Sequence, residues 1–404
     1  MIKKMYTVGM NYIYDNETNK NKLMERFVRY VKIWSESDEN EAEKGVFPST
    51  PQQVEFAKIL KGELDQLGLS EVQLTKDGYV YGFLPGNGDD NADPILLLAH
   101  MDTTQEVSGK DVKPQIKKVD TEKEADIIIT SDGTTLLGGD DKAGVAAIMS
   151  TAAFFVENPQ IKHRPLEIIF SPDEETGHGM DKVPLELIKS KCAYTVDGGS
   201  IGEMETECFN AWGANITFTG KATHTGYAKQ GGMINATVMA SAFVAALPRH
   251  KAPETTEKYE GFIAPMQISG TIESAEVYLL LRSFYADEIE EEKQIIQNIA
   301  RAVESSFGGK VDVNFKQQYL NMHDKMEQNP QVVQQLEKAY EAAGVNIIRN
   351  PIRGGTDGSR LTEMGIPTPN IFTGAHEIHS RNEWVSLNQM SKAADVLINL
   401  LSQI

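Results

Sequence analysis

Hydrophobic positions follow one another along this chain in two alternating modes. Short, mostly apolar runs at 95–99, 166–170, 193–196 and 370–372, the first of them uninterrupted, have the length of strands buried on both faces. Between them the apolar positions change to helical spacing: Leu23, Phe27, Val28 and Val31 recur at three- and four-residue intervals, Ser49 and Thr50 precede Pro51 as a helix start, and 142–155 reads as a further helix. Strand and helix in alternation predict an α/β fold with a mostly parallel sheet sandwiched by helices. The middle third has another rhythm. Residues 214–219 alternate, 235–246 read as helix, 277–281 as strand, 287–307 as a long helix and 311–315 as strand. This is a smaller α+β unit over 208–320, inserted between 21–207 and 321–404. Residues 1–20 are polar and aperiodic and are expected to lie outside the fold. No internal repeat or low-complexity tract appears.

Composition narrows the function classes. At about 150 residues per domain, 404 residues allow two to three domains. The 39 basic and 58 acidic residues leave a net charge of −19, distributed without long acidic runs. Such a surface repels phosphate backbones and anionic lipid, so nucleic acid and membrane are not expected as partners. No apolar run approaches the roughly 18 residues of a membrane helix. The first residues lack the apolar centre and small-residue cleavage site of a secretory leader. With only Cys192 and Cys208, read as free thiols, the expected compartment is the cytoplasm.

The chemistry-bearing residues gather where strands are expected to end. His100 closes the first apolar run and Asp102 follows it. GGDDKAG (138–144) sets Asp140 and Asp141 at a helix start, where capping needs only one of them. SPDEETG (171–177) brings three consecutive carboxylates to a strand exit, where their repulsion is costly unless a cation or a shared proton offsets it. Asp197 ends another strand before Gly198 and Gly199. Taken singly, each of these has an ordinary explanation as a turn, a cap or a solvated loop. In one parallel sheet, however, all four exits lie along a single edge. Adding His379 yields nitrogen and oxygen donors without sulfur, suited to a pair of zinc or similar divalent ions. Two ions bridged by one carboxylate suit amide hydrolysis, with a further carboxylate as general base.

The motifs HMDT, LLGGDDKAG, SPDEETG, YTVDGG, PIRGGTDGS and HSRNEW occur in order across nearly the whole chain after residue 20. They resemble the family of dizinc peptidases that holds glutamate carboxypeptidase, carnosinase and succinyl-diaminopimelate desuccinylase. PIRGGTDG with YTVDGG is similar to its tripeptide aminopeptidase branch. The resemblance implies that Asp140 bridges two ions, that His100 and Asp197 complete one site, and that Glu175 and His379 complete the other. It makes Glu174 the general base and Asp102 the residue that orients His100. It further implies that the insert is a lid and dimerisation domain, whose Gly220–His224 stretch brings His224 to the scissile carbonyl. Arg282 and the loop of Arg353, Gly355 and Thr356 would hold the C-terminal carboxylate of a short peptide. His376, three residues before His379, is the rival ligand.

The chain departs from that branch in places. Its lid motif reads HTG rather than HPG, Ser283 rather than aspartate follows Arg282, SRNE rather than GKHE follows His379, and the stretch from His100 to Asp140 is shorter. None of these removes an implied ligand; the last places substrate length and side-chain preference in question. Within the same family, a dipeptidase, a carboxypeptidase or an N-acyl amino acid deacylase would use the same metals on another bond. A binding protein without catalysis is disfavoured, because all five implied ligands and Glu174 are present.

Overall fold

The computed structural model describes residues 16–88, 92–120 and 125–403. Residues 1–15, most of the expected extension, lie outside the described residues. The first helix, Glu17–Tyr30, starts ahead of residue 21 and buries Leu23, Phe27 and Tyr30, so residues 17–20 belong to the fold. The chain divides into two compact units, one of Met1–Thr206, Met322–Asn350 and Thr356–Ile404, the other of Glu207–Asn321 and Pro351–Gly355. Residues 351–355 thus cluster with the insert, although the sequence reading assigned them to the larger unit.

The larger unit is built on a seven-stranded sheet in the order Ser70–Leu74, Val80–Leu84, Leu166–Ser171, Ile95–His100, Ala193–Gly198, Asn370–Phe372 and Met204–Glu205. Leu166–Ser171, Ile95–His100, Ala193–Gly198 and Asn370–Phe372, the strands legible as apolar runs, pair in parallel, while the strands beyond them on either side join antiparallel. Period two explains why the central runs are mostly apolar on both faces, with the buried exceptions Glu167, Thr195 and Asn370. Ile95, Leu97 and Ala99 enter the main core, beneath the helices Gly139–Glu157 and Leu387–Leu401. Leu96 and Leu98 enter a second core with Tyr79, Tyr81, Ile169 and Leu361 on the opposite face. A separate antiparallel sheet joins Ala375–His376, Trp384–Ser386, Ala125–Thr130 and Gln115–Asp120. The last of these, QIKKVD, is exposed along its whole length and has no apolar signal.

The smaller unit is an antiparallel sheet in the order Phe262–Gly270, Ser274–Ser283, Asn210–Thr219 and Lys310–Tyr319, packed against the helices Ala236–Ala245 and Ala286–Phe307. Ala275, Val277, Leu279 and Leu281 alternate inward and make that sheet legible. The edge strand Phe262–Gly270 is absent from the sequence reading. It contains Pro265, carries a bulge between Pro265 and Gln267, and is exposed over its second half.

Candidate metal centre

Parallel pairing brings the carboxyl ends of the central strands to one edge. His100 pairs with Ser171 at the last rung of adjacent strands, Asp197 lies near the end of Ala193–Gly198, and Asp140 stands just before the helical backbone resumes at Lys142. His100 Nε2 is 2.9 Å from Asp140 Oδ1 and 3.4 Å from Asp197 Oδ1. His379 Nε2 is 3.3 Å from Asp140 Oδ2 and 3.0 Å from Glu175 Oε2. Each Asp140 oxygen therefore faces a different histidine–carboxylate pair. His376, the rival of His379, is elsewhere: its ring stacks on Trp384 at 3.9 Å and its Nε2 lies 3.0 Å from Gln389 Oε1.

Asp141 also comes near His100 and Asp197. Its carboxylate, however, accepts the backbone N–H of His100 at 3.2 Å and that of Gly144 at 3.1 Å, which makes it a brace for the loop. Gly144 is required by this closeness, since a Cβ there would stand 1.9 Å from Val196 O and 2.4 Å from Asp141 Oδ1.

Asp102 serves two partners. Its backbone oxygen is 3.1 Å and its Oδ1 3.4 Å from His100 Nδ1, while its carboxylate accepts the N–H groups of Glu174 at 3.0 Å and Glu175 at 3.1 Å. Both loops that present the second histidine–carboxylate pair turn through left-handed residues that are not glycine, Asp173 at φ 57° and His379 at φ 57°. Such corners persist only where their surroundings impose them, and they cluster at functional sites.

So many carboxylates in so little space should repel one another, and their proton affinities show it. Burial, then the Asp140 charge, pushes Glu175 up to about 7; burial likewise raises Asp197 to about 6 and Glu174 well above its ordinary range. Burial also acts to raise Asp140, but the hydrogen bonds of His100 and His379 outweigh it and hold Asp140 below the usual carboxylate range. Hydrogen bonding to Asp140, then to Glu175, lifts His379 to about 11. Glu175 Oε1 is buried without a hydrogen-bond partner. An orphaned carboxylate oxygen beside two imidazoles and two aspartates is a donor set of the kind a pair of divalent cations would satisfy.

Glu383 and Asn370 carry no role in the sequence reading, whereas Asp357 stands in the Arg353 loop and Lys142 is expected to position Asp140. Glu383, 1% exposed, accepts the N–H of Leu137 at 2.8 Å and of Gly138 at 2.7 Å on one oxygen, and that of Asp140 at 3.0 Å on the other. Asn370 Oδ1 accepts the Asp197 N–H at 3.1 Å while its Nδ2 donates to Glu205 at 2.6 Å. Asp357 accepts from Ser171 Oγ at 2.5 Å, and burial pushes it up to about 7. A Cβ on Gly179 would fall 2.2 Å from Asp357 Oδ1. The buried Lys142 donates to Ile33 O at 2.7 Å, and burial lowers it to about 7. Glu383 and Asp357 both stand inside motifs singled out above; a charged residue within a site motif was the available signal.

The residues assigned to substrate lie mostly in the smaller unit. His224 is exposed and its Nδ1 accepts from the Gly226 N–H at 3.1 Å. Arg282 donates to the carbonyls of Trp212 and Leu281 and lies over the Tyr319 ring. Arg353 donates to the carbonyls of Lys258 and Glu260 and to Thr256 Oγ1, with Phe209 and Phe262 near its guanidinium. Gly355 leaves no room for a side chain against Tyr319. Thr356 belongs to the larger unit, where it caps the helix Asp357–Glu363 through the Gly358 N–H at 2.8 Å. Arg353, Gly355 and Thr356 thus each have a part in the fold.

A strand-edge site presenting histidines and carboxylates to two cations, in a unit interrupted by a smaller α+β unit, defines a class of metal-dependent hydrolases. The chain belongs to peptidase family M20/M25/M40, whose sequence pattern matches residues 96–403. It is 42% identical over 402 residues to a peptidase T of Clostridium perfringens, across 94% of this chain and 98% of that one. Aminopeptidase PepT from Bacillus cereus superposes with a TM-score of 0.76 at 25% identity, covering 95% of this chain and 98% of that one. A dinuclear metal-binding peptidase of the M20 family from Bacillus subtilis shares the fold, with a TM-score of 0.67 at 14% identity over 96% and 98% of the two chains. The resemblance drawn from the motifs holds, and the branch they indicate is that of peptidase T.

Proposed function

We propose that this chain is a metal-dependent aminopeptidase that releases the N-terminal residue of tripeptides, with two divalent ions, zinc by donor type, held at the sheet edge. The observation that carries the reading is the Asp140 carboxylate, one oxygen toward His100 and Asp197 and the other toward His379 and Glu175, in a chain 42% identical to a peptidase T. His100 and Asp197 would hold one ion and Glu175 and His379 the other, with Asp140 between the two pairs. The ions, when bound, supply Lewis acidity to the scissile carbonyl and acidify a water. Glu174, whose proton affinity is raised well above the ordinary carboxylate range chiefly by burial, would take a proton from the attacking water and pass it to the leaving amine. Asp102 keeps the His100 ring in place and holds the backbone on which Glu174 is mounted.

For the substrate's far carboxylate, Arg282 suits better than Arg353. Three hydrogen bonds and two aromatic rings already engage the Arg353 guanidinium, whereas Arg282 uses a single nitrogen on backbone carbonyls. His224 is proposed to polarise the scissile carbonyl. The buried free thiols Cys192 and Cys208 suit a reducing, cytoplasmic compartment. Homodimerisation through the insert is supported by exposed Val238, Met266 and Ile268, and sedimentation of the full chain tests it.

The deciding experiment incubates the zinc-loaded protein with di-, tri- and tetrapeptides, free and N-acetylated, and identifies the products by mass spectrometry, with Glu174→Ala as control. Loss of the N-terminal residue from free tripeptides alone, absent in the control, is the expected result. Cleavage of dipeptides, of C-terminal residues or of acetyl groups would overturn the substrate assignment while leaving the metal chemistry standing.

A further inference from the structure

The loop that follows Ser171 presents Glu174 and Glu175 toward the metal centre, yet the residue before them points the other way. Asp173 is fully buried, and its carboxylate accepts the Ser49 N–H at 2.7 Å, the Ser49 hydroxyl, and Gln53 Nε2 at 2.7 Å. The contact with Gln53 is reciprocal, because the Asp173 N–H donates to Gln53 Oε1 at 2.9 Å. Gln53 is also fully buried, on the first turn of the helix Pro51–Leu67. Asp173 O accepts from the His178 N–H at 3.0 Å and from Thr176 Oγ1 at 3.0 Å, so every polar group of this residue is engaged.

We infer that Ser49, Gln53 and Asp173 form a positioning latch that sets the direction of Glu174 and Glu175. Glu174 directly follows a left-handed residue whose side chain is locked into the body of the unit, so its direction depends on that lock. From the other side the Asp102 carboxylate holds the N–H groups of Glu174 and Glu175. The loop is clamped between these two carboxylates and cannot rotate without breaking one set of bonds. A reciprocal carboxamide–carboxylate pair fixes orientation in a way that an apolar contact of the same volume does not. Burying the Asp173 charge is costly, and the three donors on it offset part of that cost. Ser49, Gln53 and Asp173 touch neither substrate nor metal; they act through the two glutamates. The inference rests on the proposed roles of Glu174 as base and Glu175 as ligand.

The test uses the full chain loaded with zinc and compares Gln53→Glu, Gln53→Met, Ser49→Ala and the swap Gln53→Glu with Asp173→Asn, with Glu174→Gln as reference. In the swap, the carboxylate introduced at 53 still accepts the N–H of residue 173. It also accepts from the amide introduced there, whose oxygen takes the Ser49 N–H. Misplacement of a catalytic group by about 1 Å costs on the order of a hundredfold in rate. Gln53→Glu is therefore expected to lower kcat at least about 30-fold with KM within about threefold, and zinc affinity by roughly tenfold. The swap is expected to return kcat to within about fivefold of the unaltered protein. A Gln53→Glu or Gln53→Met protein with lowered Tm but unchanged kcat and zinc affinity would overturn the latch. Should Gln53→Glu not fold, Ser49→Ala decides: an unchanged kcat overturns the latch, and a drop of about three- to tenfold supports it. If Glu174→Gln turns over normally, the general-base reading falls instead, and the latch then stands or falls on zinc affinity alone.

Discussion

Glu383 offers a direct test of how the metal centre is held. Its two oxygens receive three backbone N–H groups, those of Leu137 and Gly138 on Oε2 and that of Asp140 on Oε1, at 2.7 to 3.0 Å in a site 1% exposed. Glu383→Gln keeps the shape but leaves only one accepting oxygen. Whichever way the amide turns, at least one N–H faces another donor. The better orientation keeps Leu137 and Gly138 paired and leaves the N–H of Asp140 unmet. A buried donor without a partner costs about 1–3 kcal/mol. For a unit of this size that is a Tm lower by roughly 3–8 °C, measured on metal-free protein so that bound ions do not mask it. Because the orphaned N–H belongs to the residue that faces both histidines, zinc affinity by chelator competition should fall about 10- to 100-fold. Glu383→Ala removes both acceptors, leaving all three N–H groups unmet, and should be worse on both counts. A Glu383→Gln protein with lowered Tm and unaltered zinc affinity would refute the link to Asp140, and one unaltered in both would refute the clamp itself.

Four further outcomes are expected. His379→Ala should lose about one bound zinc per chain by elemental analysis and His376→Ala none, since only His379 reaches Asp140 and Glu175; the reverse result would exchange the two residues. Zinc affinity should already fall with pH through competition with the His379 proton, more steeply below about 7, where Glu175 also gains one, and more steeply again below about 6, where Asp197 does, because protonated groups cannot serve as ligands; an affinity flat from pH 8 to 5.5 would contradict this. Arg282→Ala should raise KM for tripeptides about tenfold or more with little change in Tm, whereas Arg353→Ala should destabilise by about 1–2 kcal/mol through its lost hydrogen bonds, read by urea unfolding. Gly144→Ala should cost at least about 2 kcal/mol by the same measurement, because its methyl would overlap Val196 O.

What the sequence discloses and what it hides divide on a physical line. The central strands are legible because burial on both faces demands mostly apolar side chains, and 95–99, 166–170, 193–196 and 370–372 all became parallel neighbours. Gln115–Asp120 and the second half of Phe262–Gly270 bury almost nothing, so no pattern announces them. At the site, His100, Glu175 and Asp197 are conspicuous because their chemistry is unusual at strand exits and Asp140 because a helix start needs only one of two aspartates, whereas His379 is told from His376 only by the motif it opens. Glu383 reaches Leu137 across 246 positions and Gln53 reaches Asp173 across 120, and no local rule carries such a pairing.

The three carboxylates of SPDEETG show what this distinction costs a reading from sequence. Treated as neighbours in one loop, they repel and seem to need a cation between them. In the fold only Glu174 and Glu175 remain beside the histidines, since Asp173 turns through a left-handed backbone and ends among Ser49 and Gln53. Part of the repulsion is thus relieved by hydrogen bonds on the far side of the loop, and only the remainder bears on metal. The same separation applies at GGDDKAG, where Asp141 braces backbone N–H groups and Asp140 alone turns its two oxygens to the two histidines. In both motifs one acidic residue aims the backbone and its neighbour faces the histidines. An acidic cluster is therefore evidence for metal only after the carboxylates committed to the fold have been set aside.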